Sequence, residues 1–135
     1  MLSLIFIIFA AINKAIIDTL QFHYDKSWFA IHFLKSQGWW NPKDSWKNKY
    51  KNHDITKGEA FWGATTVFCW ITDAWHFLQS LYLNFISLAI VFFEPIIKTE
   101  ILIWSLIINF IIYRITFGFI FEIFFRRLNG RNNGK

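Results

Sequence analysis

The chain has 135 residues, room for one domain, and is 55% hydrophobic and 21% aromatic, with 17 Phe and 8 Trp. Long stretches carry almost no charge, which excludes a soluble domain with charge spread over its whole surface. The formal net charge is +5, but the Lys cluster lies between apolar segments, so an anionic membrane surface is the expected partner rather than nucleic acid. One cysteine, Cys69, excludes an internal disulfide, and there is no CxxC, no Gly-rich phosphate loop and no repeat.

Residues 2–22 read as a first transmembrane helix, since about 20 apolar residues cross about 30 Å of hydrocarbon. Ala10-Ala11 imitates a signal-peptide cleavage site, yet Met1-Leu2-Ser3-Leu4 lacks the positive start of a signal, so no cleavage is expected. Lys14, Asp18, Asp25 and His32 follow at steps of 4, 7 and 7, with Gln21 between. They share one face if the helix continues past Leu20, and His23 lies close in height. Ser27 to Leu34 is apolar but short. It reads as an interfacial or re-entrant segment, or as the end of a tilted first helix.

Residues 36–58 form the hydrophilic loop. Gly38 and Pro42 break helix, and Trp39, Trp40 and Trp46 suit the headgroup layer. Lys43, Lys47, Lys49, Lys51 and Lys57 outweigh Asp44 and Asp54. Residues 61–93 then form a second, long apolar span, either one helix of roughly 50 Å projecting from the bilayer or two elements, and the charge bias allows it one crossing. Thr66, Cys69, Asp73, His76, Ser80, Asn84 and Ser87 recur at steps of 3, 4, 3, 4, 4 and 3, a polar stripe expected to face the inside of a bundle. The turn Glu94 to Glu100 holds two carboxylates against Lys98. A third span follows at residues 101–125, with Ser105, Asn109, Tyr113 and Thr116 on one face and Arg114, Gly118 and Glu122 on another. Residues 129–135 are a polar tail.

The fold class is therefore all-α: a single small transmembrane helical bundle of about three spans over residues 1–128. The Lys-rich loop and the basic tail (Arg126, Arg127, Arg131, Lys135) are the two positive regions and belong in the cytoplasm, which puts the N-terminus outside. Asp18, His23, Asp25, Asp73, His76 and Glu122 then reach one level of the bilayer from three helices. Imidazole with carboxylate is the ligand chemistry of Zn²⁺ or Mn²⁺, and a bound metal would make a nucleophilic hydroxide. In that reading Asp73 and His76 are catalytic, and Lys47, Lys49, Lys51, Arg126 and Arg127 hold an anionic lipid headgroup. The other reading is structural. Lys14 neutralises Asp18, His76 satisfies Asp73, Arg114 pairs with Glu122 or Glu100, and the Ser, Thr and Asn stripes are hydrogen-bonded seams. That makes the chain a structural or accessory subunit of a homo-oligomer or a larger membrane complex, and it is the preferred expectation. A proton or ion path in an oligomer is a third reading. His53 is expected to be solvated and Cys69 to be a packing residue.

Ser45-Trp46-Lys47-Asn48-Lys49-Tyr50 and Thr72-Asp73-Ala74-Trp75-His76, with Asn13, Asp18-Thr19-Leu20, Phe22-His23 and Phe61-Trp62-Gly63-Ala64-Thr65-Thr66, resemble a group of small, uncharacterised bacterial integral membrane proteins. The resemblance covers roughly residues 10–80. It implies a multi-pass protein of the bacterial cytoplasmic membrane and carries no activity, so it assigns no site residue.

Overall fold

A computed structural model describes residues 1–33 and 37–129. Every extended element among them is helical, and three helices are long and apolar enough to cross a membrane. These are α1 (Leu2–His23), α5 (Ala74–Val91) and α6 (Leu102–Asn129); the short helices α2 (Trp28–His32), α3 (Gln37–Trp40) and α4 (Pro42–Ser45) lie between α1 and α5.

Helix α1 is the keel. Its small residues Ser3, Ala10, Ala11 and Ala15 are fully buried, which lets two other helices approach its backbone closely. Helix α5 runs antiparallel to it, with Phe85 stacked on Phe6 and Phe9 at ring separations of 6.4 and 5.4 Å. Helix α6 runs parallel to it. The Ser3 and Tyr113 hydroxyls are hydrogen-bonded near one end, and Asn129 Nδ2 donates to Thr19 Oγ1 (3.2 Å) at the other. Both α5 and α6 pack against α1 far more than against each other.

The buried apolar cluster sits at the loop end of the bundle: Ile17, Leu20 and Tyr24 from the α1 side, Phe29 from α2, Ala74 and Leu78 from α5. Rings from the loop cover it. Trp40 stacks on Phe29 and Phe33 at 5.1 and 4.8 Å, and Trp39 meets Phe77 at 6.0 Å. The short apolar segment expected after residue 26 is thus a packed helix, α2, as far as it is described; Leu34, Lys35 and Ser36 lie outside the described residues, as do Arg131 and Lys135 of the basic tail.

Three expectations change. The first helix does not carry Lys14, Asp18, Asp25 and His32 on one face. It ends at His23, a 3-10 turn follows at Tyr24–Lys26, and Ser27 is extended (φ −84°, ψ 162°). Ser27 Oγ donates to the Tyr24 carbonyl (2.7 Å) and accepts from Ala30 N–H (3.4 Å), so the same residue closes one turn and opens α2.

Next, residues 61–93 are not one helix. Glu59 organises a turn instead: its carboxylate accepts from Gly63 N–H (3.0 Å), Thr65 N–H (3.1 Å) and the Thr65 hydroxyl. Gly63 takes the left-handed conformation (φ 77°) that the turn requires. The Thr65 hydroxyl and the two amides hold the Glu59 carboxyl below its usual range. The helix begins only at Ala74, and its 18 residues span about 27 Å.

Finally, the polar stripe is not directed inward along its length: Asp73 is buried and His76 and Ser80 half-buried, but the rest does not face the bundle. Thr66 and Cys69 precede α5, and Asn84 and Ser87 lie exposed on its outer surface. On α6, Ser105 and Asn109 of the polar face are buried and Tyr113 and Thr116 half-buried, and the chief partner of the face is the chain between α5 and α6. Fully buried Asn109 accepts through Oδ1 from Ile96 N–H (2.6 Å) and Ile97 N–H (3.1 Å). Its Nδ2 donates to the carbonyls of Ile97 and Ser105, both at 2.7 Å. One amide thereby straps the connector onto the helix that follows it.

Candidate functional site

Two stretches distant in sequence meet at the loop end. Asn41 caps α4, with Oδ1 accepting from Lys43 N–H (3.1 Å), and Pro42 occupies the first turn, where a missing N–H costs nothing. That short helix delivers buried Ser45. Asn48, in the 3-10 turn after it, donates through Nδ2 to the carbonyls of Gly38 (2.7 Å) and Thr72 (3.0 Å). The Ser-Trp-Lys-Asn and Thr-Asp-Ala-Trp-His pieces are therefore pinned side by side. Between them is a pocket of about 180 Å³, bounded by Gln21, Pro42, Ser45, Trp46, Asp73, Trp75 and His76.

Asp73 is extended (φ −156°, ψ 164°) and serves as the N-cap of α5. Its Oδ1 accepts from His76 N–H (2.9 Å), and its Oδ2 accepts from His76 Nδ1 (2.6 Å). The Thr72 hydroxyl stands 3.4 Å from the same Oδ2. The Asp73 side chain is 2% exposed and that of His76 29%, so the acid is internal and the imidazole reaches the pocket. Burial pushes the Asp73 carboxyl up, but the His76 ring, the His76 amide and the His76 charge outweigh it and hold the group below its usual range. A capping acid gripping an imidazole at N3 fixes the ring and its tautomer, the arrangement of an oriented acid–base group.

The expected metal cluster is not assembled. Among the described residues no three His, Cys, Asp or Glu side chains stand close enough to share an ion. Asp18, His23, Asp25, Asp73, His76 and Glu122 do gather at one end of the bundle, but each finds a local contact. Asp18 takes Lys14 one turn before it, Asp25 takes Lys43 (2.7 Å), Asp73 takes His76, and Glu122 takes Arg126 one turn later. His23 sets its ring against Phe125 at 5.4 Å. Opposite charges at i,i+4 satisfy one another within a helix before they reach a neighbouring one.

The cationic candidates behave likewise. Lys47 lies 3.4 Å from Asp44 and over the Trp46 ring, and Lys49 lies over Tyr50. Lys51 and Arg127 are exposed, and neither forms an ion pair among the described residues. All of these share the loop end with Arg126, while Met1 and Glu94 (3.6 Å apart) mark the opposite end.

A second concavity runs along the spans. Because α5 and α6 diverge above α1, they leave an open groove of about 780 Å³ with Ile7 on its floor and Ile86, Ile90, Phe110 and Phe117 among its walls. Arg114 is its one charged wall residue. The expected pairing of Arg114 with Glu122 or Glu100 does not form. Glu122 is engaged by Arg126, and Arg114 makes no ion pair among the described residues.

Ser45, Gln21 and Asn48 went unassigned from sequence, although Ser45 and Asn48 belong to a motif that was noticed. The groove had no signal at all, because it arises from how two helices splay. No protein-family model, no curated protein and no solved structure matches the chain.

Proposed function

We propose that this protein is an accessory subunit embedded in a membrane, with α1, α5 and α6 as its spans. The carrying observation is the surface that the chain leaves uncovered. Of the most apolar stretch of α1, 39% is buried within the chain, but only 17% of that of α5 and 6% of that of α6. That uncovered surface includes Asn84, Ser87 and Arg114, whose side chains make no hydrogen bond within the described chain. Polar groups on the outer faces of spans persist where another helix satisfies them. The acids expected to form the cluster, by contrast, are each paired with a basic side chain of this chain, as structural acids are.

The loop end faces the cytoplasm in this reading. It collects Lys43, Lys47, Lys49, Lys51, Lys57, Arg126 and Arg127, which also suit it to anionic headgroups. The motif likeness noted above supports the cytoplasmic membrane of a bacterium. Mild-detergent extracts run on native gels test the proposal. The tagged chain should migrate in an assembly well above its own 16.2 kDa and detergent belt. Ile90→Trp should dissociate that assembly, because Ile90 is 71% exposed and lines the groove, so a larger ring there fills the groove without disturbing the chain's own packing. A wild-type protein that migrates as a monomer, unaltered by Ile90→Trp, refutes it.

One observation favours a second reading, acid–base chemistry on a lipid headgroup. His76, oriented by buried Asp73, borders a pocket shared with Ser45 and Gln21 at the headgroup level. That reading requires Asp73→Asn to abolish turnover of a lipid substrate while assembly persists.

A further inference from the structure

We infer that the groove between α5 and α6 receives a transmembrane helix of a different protein, and that an Asp or Glu near the middle of that helix pairs with Arg114. The inference rests on the accessory-subunit reading and names the partner's chemistry.

Three facts select the occupant. Arg114 stands on the groove wall among Ile86, Ala89, Phe110 and Phe117, an apolar setting with no acid. Its Nη1 lies along α6 over Gly118, 3.7 Å from where a Cβ there would be, so the guanidinium lies against the helix about one turn from its own Cα, still well short of either end. Arg114 is also near the midpoint of Leu102–Asn129, roughly 18 Å along the axis from Arg126 and as far from Leu102 at 1.5 Å per residue. Lipid phosphates lie at the two ends of that distance, beyond the reach of one side chain, so an anion at this depth is best supplied by another helix.

A second copy of this chain cannot supply it. The acids in its spans are Asp18, Asp25 and Glu122, all at the loop end, and Asp18, Asp25 and Glu122 are already engaged by lysines or arginine. Lipid chains could cover the apolar walls but would leave the guanidinium unpaired in hydrocarbon, where an unpaired charge is costly. The partner is thus a heterologous helix whose apolar face fills the groove and whose carboxylate meets Arg114 bidentately.

The test uses purified full-length protein in phosphatidylcholine vesicles and a Lys-flanked Leu/Ala transmembrane peptide carrying a dansyl acceptor. Peptides with Glu, Gln or Leu at the centre are titrated, and energy transfer from the protein's tryptophans is read. The Glu peptide should half-saturate at about tenfold lower mole fraction than the Leu peptide, the size interhelical polar contacts reach in model peptides. Arg114→Leu should erase that difference and Arg114→Lys should retain part of it; removing a charge from a span does not impede insertion. Equal binding of the Glu and Leu peptides overturns the inference, as does a preference that survives Arg114→Leu. Arg114-dependent retention of phosphatidylglycerol in native mass spectra, without peptide preference, assigns the site to lipid and also overturns it. The Ile90→Trp assembly test does not involve Arg114, so the subunit reading can stand when this inference falls.

Discussion

Asp73 offers a perturbation whose size follows from the structure. Replacing it by Ala removes the N-cap of α5, about 1 kcal/mol, and the ring–carboxylate bond to His76, about 1.5–3 kcal/mol for a charged partner. The His76 side chain is 29% exposed, so water meets part of the orphaned imidazole and the lower half of that range applies. The expected loss is about 2–3 kcal/mol, or roughly 6–12 °C in the melting temperature of a chain this size. Asp73→Asn keeps a good cap and gives up only the carboxylate's charge opposite the His76 ring, so it should lose about 1 kcal/mol. Unfolding in detergent, followed by tryptophan fluorescence, reads both variants. A double-mutant cycle with His76→Ala isolates the pair, with an expected coupling of about 1–2 kcal/mol. Asn as damaging as Ala would sink the capping argument. An Ala variant that melts with wild type would mean that α5 does not begin at Asp73.

Other consequences are as direct. Asn109→Leu leaves the amides of Ile96 and Ile97 without acceptors, while Ser105 Oγ still serves the Ile97 carbonyl (2.9 Å); it should destabilise by about 2–4 kcal/mol and expose residues 94–101 to limited proteolysis, and a protected connector would contradict the strap. Asn48→Ala frees the Thr72 and Gly38 carbonyls and should cost about 1–2 kcal/mol, with faster hydrogen exchange through the 37–60 loop; unchanged exchange would show that the loop is held elsewhere. Glu59 has a lowered folded value, so its contribution to the turn is complete above the ordinary carboxylate range and disappears as pH falls through that lowered value. The amide resonances of Gly63 and Thr65 should therefore titrate below 4.5, and a midpoint at or above it would contradict the turn. A reporter fused after Lys135 should read cytoplasmic; a periplasmic signal would invert the charge argument.

The three spans were legible because hydrophobic length is local information. The predicted limits 2–22 and 101–125 differ from Leu2–His23 and Leu102–Asn129 by a few residues at most. The start of α5 was misplaced because Phe61 to Ile71 is as apolar as a span, and hydropathy does not see that Glu59 and Gly63 bend it. A local signal did exist: Asp followed by Ala and Trp, opening an apolar run, is an N-cap pattern. Reading Asp73 as a ligand on a helix face overlooked that a capping carboxylate is already occupied by the amide of the third residue. The cluster of six failed for a related reason. Helix-face and depth arguments bring residues to one level, but azimuth and local pairing decide whether they meet, and Lys14, Lys43 and Arg126 were closer partners than any metal.

The Asn109 strap bears on how the chain is made. Ile96 and Ile97 emerge from the ribosomal exit tunnel ahead of the side chain that satisfies their backbone groups. Helix α5 with its connector is therefore incomplete as an isolated insertion unit and must wait in a hydrated or translocon-shielded position until the first turns of α6 arrive. Ribosome-arrested chains carrying C-terminal linkers that hold residue 109 just inside or just outside the exit tunnel should differ in carbonate extraction: the shorter remains extractable, the longer settles into lipid as a hairpin. Biogenesis of this bundle is then paced by one amide rather than by the apolar length of each span.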